Sequence, residues 1–272
     1  MEYSPAEAQI SLKIVEDLLK NNDPPPLRLK RLVWTLMCIR ARGLANGLRL
    51  LTGDKVYAGP FKDMVLTNDA LAAYQAPILL GCYEHELHSV FEDVIANDYA
   101  RVLNIGCSVG YYAVGLARRM PHVVVEAFDI SDEARRKCLD MARANNVEDR
   151  VHVSGQFYGE DYAKYADKKT LVIMDIESAE KDLLNPEAFP ALRKMDVIVE
   201  LHDLMDPTIS KTICARFEAS HDIEIIRNQT SLPDVEKLLP EGAYVDPYDH
   251  MLLGWECRDG KTPWGLFRVK NQ

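Results

Sequence analysis

From residue 101 onward, short apolar runs alternate with stretches of helical periodicity. The apolar runs, which are candidate strands, lie at 101–105, 123–129, 151–154, 170–176, 196–201 and 222–227. The helical stretches fill the intervals at 111–120, 132–145, 158–167, 178–193 and 207–218. Strands that alternate with helices in this way are typical of βαβ units. The pattern therefore predicts an α/β fold with a doubly wound, mostly parallel sheet.

The N-terminal part is helical in its periodicity. Apolar positions recur at helical spacing over 6–20, and a second helical stretch, rich in Arg and Leu, follows "NNDPPP" over 27–51. We interpret residues 1–55 as a helical cap and residues 56–272 as the main domain. A basic amphipathic helix can also contact a partner or a membrane surface, and these helices are candidates for the contact in a homo-oligomer.

Three further segments complete the expected arrangement. Two short strands are expected within 56–67, around Gly59 and Pro60, and a helix is expected over 83–98. Beyond an irregular acidic stretch at 229–250, "MLLGWECR" and "WGLFRVK" flank the turn residues "DGKTP". Two apolar runs on either side of such a turn predict a hairpin near the end of the chain.

Composition and charge narrow the class of protein. The chain has 272 residues, of which 47% are hydrophobic and 27% charged, and its formal net charge is −10. This balance disfavours nucleic acid as a partner, because a duplex-binding surface normally needs clustered positive charge. The most apolar stretch is interrupted by arginines and falls short of a membrane span. The six cysteines are scattered without a metal-binding spacing, so we expect free thiols and a cytoplasmic protein.

A glycine turn follows the first strand of the alternating region. Gly106 and Gly110 form this turn, and Asp129 ends the second strand. Glycine lets a backbone approach a ligand closely, and an acid at this offset can accept hydrogen bonds from an adenosine ribose. Dinucleotide and S-adenosylmethionine enzymes share this arrangement. The turn lacks the third glycine with which the dinucleotide version packs its helix against the strand around a pyrophosphate. This difference and the expected terminal hairpin favour S-adenosylmethionine.

Several stretches together resemble one family of methyltransferases. They are "LLGCYEHEL", "VLNIGCSVGYYAVGLA", "VVEAFDIS", "LVIMDIESAEKDLL" and "VIVELHD". In these stretches the chain resembles the FkbM-type family of class I S-adenosylmethionine-dependent methyltransferases, over about residues 56–203. The resemblance implies a Rossmann-like fold with a seven-stranded sheet whose last strand is antiparallel. It also implies methyl transfer, often to an oxygen of a sugar or another small metabolite.

The resemblance also implies which residues surround the cofactor. Asp129 would hold the ribose, Ile130 would cover the adenine, and the first glycine turn would lie against the methionine part. The implied set is Glu84, Glu86, Asn104, Gly106, Cys107, Ser108, Gly110, Asp129, Ile130, Gln156, Phe157 and Asp175. This sequence departs from the family pattern at Asn104, where an acid is usual, and at Ser108 and Ser178, where glycine is usual.

Transfer of a methyl group to an alcohol requires removal of the hydroxyl proton. The candidate groups follow the fourth and fifth strands, in "MDIESAE" and "VELHD". His202 is our first candidate for the general base, because its ordinary pKa lies near working pH, and Asp175 is the second, with Glu177 beside it. The alternative for Glu177 and Glu180 is a favourable position at a helix N-terminus, and Asp203 has the alternative role of a cap.

The same strand ends carry a candidate metal site. Asp175, Glu200 and Asp203 could bind Mg²⁺, which would lower the pKa of an acceptor hydroxyl. However, acids around a cationic sulfonium need no metal to be explained. We therefore expect S-adenosylmethionine as the cofactor, a small-molecule acceptor as the partner, and Mg²⁺ as a lesser alternative.

Two other functions stay open from the sequence. The substitutions at Asn104, Ser108 and Ser178, with the basic N-terminal helices, are compatible with a catalytically silent binding or assembly protein that keeps the S-adenosylmethionine fold. An NAD-linked oxidoreductase is a weaker alternative, since the turn retains only part of the dinucleotide fingerprint.

Overall fold

The structure of the protein is a computed structural model that describes residues 3–67, 75–227, 234–256 and 262–270. A seven-stranded sheet, in the order β3-β2-β1-β4-β5-β7-β6, is its main feature. The strands are β1 Arg101–Ile105, β2 Val124–Phe128, β3 Val151–Ser154, β4 Thr170–Met174, β5 Asp196–Glu200, β6 His221–Ile226 and β7 Trp264–Val269. β7 runs antiparallel to both β5 and β6, whereas β1 to β5 pair in parallel. The predicted doubly wound, mostly parallel sheet with an antiparallel last strand is confirmed.

The α-helices of the described residues lie before, between and after these strands. They are α1 Pro5–Leu19, α2 Pro25–Thr52, α3 Gln75–Leu80, α4 His88–Ala96, α5 Tyr111–Arg119, α6 Asp132–Ala144, α7 Glu180–Leu183, α8 Ile209–Phe217 and α9 Pro247–Leu253. None of them has both the length and the apolar character that a membrane-spanning helix needs.

The described chain divides into two compact units. The first comprises residues 3–63, 75–85 and 234–256, and therefore includes α1, α2, α3 and α9. The second comprises residues 64–67, 86–227 and 262–270 and contains the whole sheet. The first unit thus combines the helices of the predicted N-terminal cap with two segments from later in the chain.

In the first unit, specific polar contacts fix the helices. Ser4 caps α1, because its hydroxyl accepts the backbone N–H of Glu7 at 3.3 Å while the Glu7 carboxylate accepts the backbone N–H of Ser4 at 2.9 Å. This reciprocal pair satisfies two donors that a helix start leaves open. Arg40 of α2 forms a two-bond ion pair with the buried Asp249 of α9, with Nε to Oδ1 at 2.9 Å.

In the second unit, the central strands form the core. Every residue of β4 is buried, and only the first residue of β1 and of β5 is partly exposed. Continuous apolar runs of this kind are typical of parallel strands that helices cover on both faces. Asn145, just beyond α6, satisfies both backbone groups of Val65, with Val65 N–H to Oδ1 and Nδ2 to the Val65 carbonyl both at 2.8 Å.

Several sequence predictions about local structure are wrong. Residues 56–63 form a turn, in which the N–H of Asp63 donates to the carbonyl of Val56 at 2.8 Å, rather than two strands. The predicted terminal hairpin does not form: residues 251–253 end α9, and β7 pairs with β5 and β6 instead. Part of that prediction, residues 257–261, lies outside the described residues.

Residues 247–253 form the helix α9 because proline suits the first turn of a helix and because one face of this helix is apolar and buried. Pro247 occupies the first helical turn, where the missing N–H costs nothing, and Leu252 and Leu253 are buried.

The helix predicted over 178–193 is also wrong, because this stretch contains only α7 and a short 3-10 helix at Pro190–Lys194. Pro186 and Pro190 explain the interruption, since proline removes a backbone donor.

Candidate active site

The turn after β1 is a tight loop at the carboxyl end of the sheet. Gly106, Ser108 and Gly110 all have positive φ, at 80°, 47° and 89°. The N–H groups of Gly106 and Cys107 both donate to the carbonyl of Phe128, at 2.8 and 2.9 Å, which joins the turn to the end of β2. In parallel sheets, ligands bind at this edge.

The two glycines are needed for packing within the protein itself. A Cβ at Gly106 would lie 1.8 Å from the carbonyl oxygen of Asp175, and a Cβ at Gly110 would lie 2.8 Å from the Sγ of Cys138. The sequence predicted glycine here because a ligand approaches the backbone closely, but close contacts within the protein are a second reason.

Cys107 and Cys138 are buried free thiols. The neighbouring Cys138 thiol and burial raise the pKa of Cys107.

Ser108 and Ser178 lie at two positions where glycine is usual in the FkbM-type pattern that the sequence resembles. Ser108 has φ 47° and Ser178 has φ 88°, and Glu177 beside it has φ 55°. Such angles are costly for residues with a Cβ. The left-handed backbone explains why glycine would be favoured at both positions, and strained residues of this kind often cluster at functional sites.

Asp129 joins the two turns that would face a cofactor. Its Oδ2 accepts the backbone N–H of Ser108 and its Oδ1 accepts the backbone N–H of Ser131, both at 2.9 Å. Each carboxylate oxygen can accept a second hydrogen bond. Asp129 can therefore hold both turns and still accept hydrogen bonds from two hydroxyl groups of a ligand.

The other cofactor candidates differ in their surroundings. Asn104 is 2% exposed, and its Oδ1 is buried without a hydrogen-bond partner among the described residues. Ile130 is 80% exposed, which is unusual for a large apolar side chain. Gln156 is exposed and accepts a hydrogen bond from the hydroxyl of Tyr158 at 3.3 Å. Phe157 is buried against Phe128, with ring centroids 4.9 Å apart.

The two glutamates of "YEHEL" fall in different units. Glu84 belongs to the first unit, where its N–H donates to Oε1 of Glu256 at 2.7 Å, and Glu86 belongs to the second unit. The contact of either residue with a cofactor stays a prediction.

The ends of β4 and β5 bring a histidine and several carboxylates together. His202 is 4% exposed. Its Nε2 lies 3.6 Å from Oδ1 of Asp175, 3.5 Å from Oε2 of Glu177 and 3.5 Å from Oε2 of Glu200. On its other side, Nδ1 lies 2.7 Å from Oε1 of Glu180. The sequence predicted that these two strand ends would meet, but it did not single out Glu180 as a partner of His202.

This proximity changes the proton affinities of the cluster. Burial lowers the pKa of His202, but the hydrogen bond to Glu180 and the charges of Glu200, Glu180 and Asp175 outweigh it and raise that pKa to about 9. Burial and the charge of Glu200 raise the pKa of Asp175 well above its ordinary value. The ordinary pKa on which the role of His202 as general base was predicted therefore does not apply to this state.

Asp203 lies outside the cluster. Its Oδ1 accepts the N–H of Ser210 at 2.9 Å and its Oδ2 accepts the hydroxyl of Ser210 at 2.5 Å, so it fixes the first turn of α8. The expected metal set of Asp175, Glu200 and Asp203 is therefore not the set that the structure brings together. Asp175, Glu200 and His202 instead offer ligand atoms within 4.8 Å of one another.

Glu200 and His202 each have a second polar partner that holds the side chain in place, Thr262 for Glu200 and Glu180 for His202. Oε1 of Glu200 accepts the hydroxyl of Thr262 at 2.5 Å, while its Oε2 is the oxygen near Nε2 of His202. Groups that hold functional side chains in this way are needed for a precise site. Nothing in the sequence links Thr262 to this site, because it is distant along the chain and lies in the stretch "DGKTP" that was predicted to be a turn.

Comparison with known proteins gives matches in structure only. No protein-family model and no curated protein matches the chain. Among solved structures, a candidate O-methyltransferase from Klebsiella pneumoniae is 12% identical, with 97% of each chain covered and a TM-score of 0.46. The O-methyltransferase TomG from Streptomyces achromogenes, solved with SAM, is 16% identical, with 77% of this chain and 83% of that chain covered and a TM-score of 0.45.

An O-methyltransferase from Bacillus cereus, solved with SAH, is 14% identical. It covers 84% of this chain and 91% of its own, with a TM-score of 0.44. Likeness at this level carries no conclusion about activity.

Proposed function

We propose that this protein is an S-adenosylmethionine-dependent methyltransferase of the FkbM type, which methylates an oxygen of a small molecule such as a saccharide or a secondary metabolite. One observation carries the proposal. The Asp129-linked turn after β1 and the His202 cluster at the ends of β4 and β5 meet where Gly106 approaches the carbonyl of Asp175. A cofactor turn and a group of proton-accepting side chains therefore adjoin at one edge of the sheet.

The residues around the turn fit the cofactor. Asp129 has two remaining acceptor positions for ribose hydroxyls, and the exposed Ile130 offers an apolar surface to adenine. Asn104 adds a buried oxygen whose hydrogen-bonding capacity is unused among the described residues, and such a group is expected to have a partner in the functional state. When bound, S-adenosylmethionine supplies the methyl group on a positively charged sulfur.

The cluster next to the turn fits an alcohol acceptor. Methyl transfer is an in-line displacement, so orientation of the acceptor oxygen matters most. Nε2 of His202 lies 3.6 Å from Oδ1 of Asp175 and 3.5 Å from Oε2 of Glu177. We assign these three residues to binding the hydroxyl group and receiving its proton, and His202 can receive it only in its neutral form, which its pKa of about 9 makes the main form only at alkaline pH.

A divalent cation is compatible with this site but is not required by the proposal. Asp175, Glu200 and His202 would hold it, and it would lower the pKa of a bound hydroxyl. A donor set that includes an imidazole suits Mn²⁺, Fe²⁺, Co²⁺ or Zn²⁺, whereas Mg²⁺ prefers oxygen ligands. Full activity in excess chelator would remove the cation from the mechanism, and loss of activity that Mn²⁺ restores better than Mg²⁺ would support it.

The proposed function is tested with labelled cofactor. Purified protein is incubated with methyl-labelled S-adenosylmethionine and a panel of saccharides, phenols and other small metabolites, and label in the products is counted. Binding of S-adenosylhomocysteine and of NAD is measured in parallel by calorimetry. Transfer to an oxygen of a panel member supports the proposal. If the protein binds S-adenosylhomocysteine but transfers label to no panel member, it is a silent binding protein. If it binds NAD alone, it is an oxidoreductase.

A further inference from the structure

Glu180 is a buried carboxylate to which the proposed reaction assigns no role. It is 0% exposed and is the first residue of α7, a helix of only four residues. A favourable position at a helix N-terminus is a small effect that depends on the dipole of a longer helix. Removing a carboxylate from water costs more than that effect returns. A favourable position at a helix N-terminus therefore does not explain why Glu180 is buried.

The backbone before α7 directs this carboxylate inward. Glu177 and Ser178 both have positive φ, so the chain reverses sharply after β4. Oε1 of Glu180 then accepts the N–H of Ser178 at 3.2 Å. The same oxygen meets Nδ1 of His202 at 2.7 Å, a distance typical of a strong, charge-assisted hydrogen bond.

This hydrogen bond decides which ring nitrogen of His202 faces the reaction site. A carboxylate can only accept a hydrogen bond, so Nδ1 carries a proton. Nε2 is then the nitrogen that lies near Asp175 and Glu200. A carboxylate that holds the far nitrogen of a histidine is a known way to fix its tautomer and ring orientation.

We propose that Glu180 is the positioning residue for His202: it holds Nδ1 so that Nε2 faces the acceptor hydroxyl beside Asp175. This inference rests on the proposed methyl transfer for its kinetic consequence, but its structural consequence can be measured without any activity. Glu180 touches no reacting atom, and it acts through His202 alone.

The first experiment is spectroscopic. The ring nitrogens and protons of His202 are observed by NMR in the ¹⁵N-histidine-labelled full chain, with His202→Asn used to assign the signals. We expect a protected, downfield Nδ1 proton in the wild type that is lost in Glu180→Leu, which removes the acceptor without supplying another. An unchanged Nδ1 signal in folded Glu180→Leu would overturn the proposal.

The second experiment is kinetic. Glu180→Gln should lower kcat for methyl transfer about 10- to 100-fold and leave the KM for S-adenosylmethionine within about twofold, while Glu180→Asp should recover part of the loss. Asp182→Asn is the matched control, since it makes the same charge change at an exposed position of α7 and should leave kcat unchanged.

A double-mutant comparison separates positioning from folding. If Glu180 acts only through His202, Glu180→Gln should cause no further loss of kcat in a His202→Asn background. A loss of equal size in both backgrounds would overturn the proposal. If the wild type transfers no methyl group to any acceptor, the proposed function fails, whereas the NMR comparison still tests the role of Glu180.

Discussion

The carboxylate of Asp129 accepts the backbone N–H of Ser108 at 2.9 Å, and this bond ties the end of β2 to the turn that follows β1. The same side chain accepts the N–H of Ser131. One acid thus has a structural and a proposed ligand-binding role, and the two roles predict different effects of substitution.

We expect Asp129→Ala to weaken binding of S-adenosylhomocysteine about 10- to 100-fold, because hydrogen bonds to a charged group are lost. It should also lower the free energy of unfolding by about 1–2 kcal/mol, because the N–H groups of Ser108 and Ser131 lose their acceptor. Calorimetric titration and urea unfolding measure the two effects. Asp149→Asn, at an exposed position of the same unit, should change neither, and unaltered affinity in Asp129→Ala would contradict the proposed ribose contact.

Asn104 gives a test in which stability and binding move in opposite directions. Because Oδ1 of Asn104 is buried without a partner among the described residues, Asn104→Leu should leave the ligand-free protein as stable as the wild type or more so, by up to about 1 kcal/mol. The same substitution should weaken cofactor binding about tenfold, if the oxygen serves the cofactor. Loss of stability without loss of affinity would show that Asn104 serves the fold alone.

The left-handed conformation of Ser178 predicts a stabilising substitution. With φ at 88°, Ser178→Gly should relieve backbone strain that exceeds the extra entropy of glycine in the unfolded chain, and should raise the free energy of unfolding by about 0.5–1 kcal/mol. Ser154→Gly, in β3, is the control and should lower it, because glycine weakens a strand. Equal losses in urea unfolding for both variants would show that Ser178 is not strained.

His221 predicts a pH dependence of stability that is separate from the active site. It is 1% exposed, and its two ring nitrogens meet the hydroxyl of Ser220 at 2.8 Å and the carbonyl of Met195 at 2.9 Å. Burial lowers the pKa of His221 below its ordinary 6.5, against the raising effects of the Met195 carbonyl, Asp196 and Asp222, while Lys270 acts in the same direction as burial.

Since the unfolded chain binds the proton more readily, stability should be complete above pH 6.5 and fall as the pH drops from there toward the folded value. Thermal unfolding of the wild type and His221→Gln between pH 7.5 and 5 tests this. The variant should be less stable at pH 7.5 but show a flatter profile, and parallel profiles would refute the assignment.

The centre of the sheet could be predicted from the sequence because β1, β4 and β5 are buried almost throughout and therefore appear as largely apolar runs. The meeting of Asp175 with His202 could also be predicted, since adjacent parallel strands end at one edge. The terminal hairpin was wrong because "MLLGW" has the same apolar content in a strand as in α9, and only tertiary pairing distinguishes them. The pairing of Glu180 with His202 and the role of Thr262 were not predicted, because both depend on contacts between residues that are distant along the chain.

The position of β7 in the sheet has a consequence for biosynthesis. β6 pairs only with β7 in the described sheet, and β7 separates it from β5. Among the described strands, the one that joins them is also made after all the others. The sheet can therefore close only once β7 has been synthesised, and contacts between such distant segments form slowly. We expect nascent chains that stop before residue 264 to expose the edge of β5 and to depend on chaperones until β7 has been made.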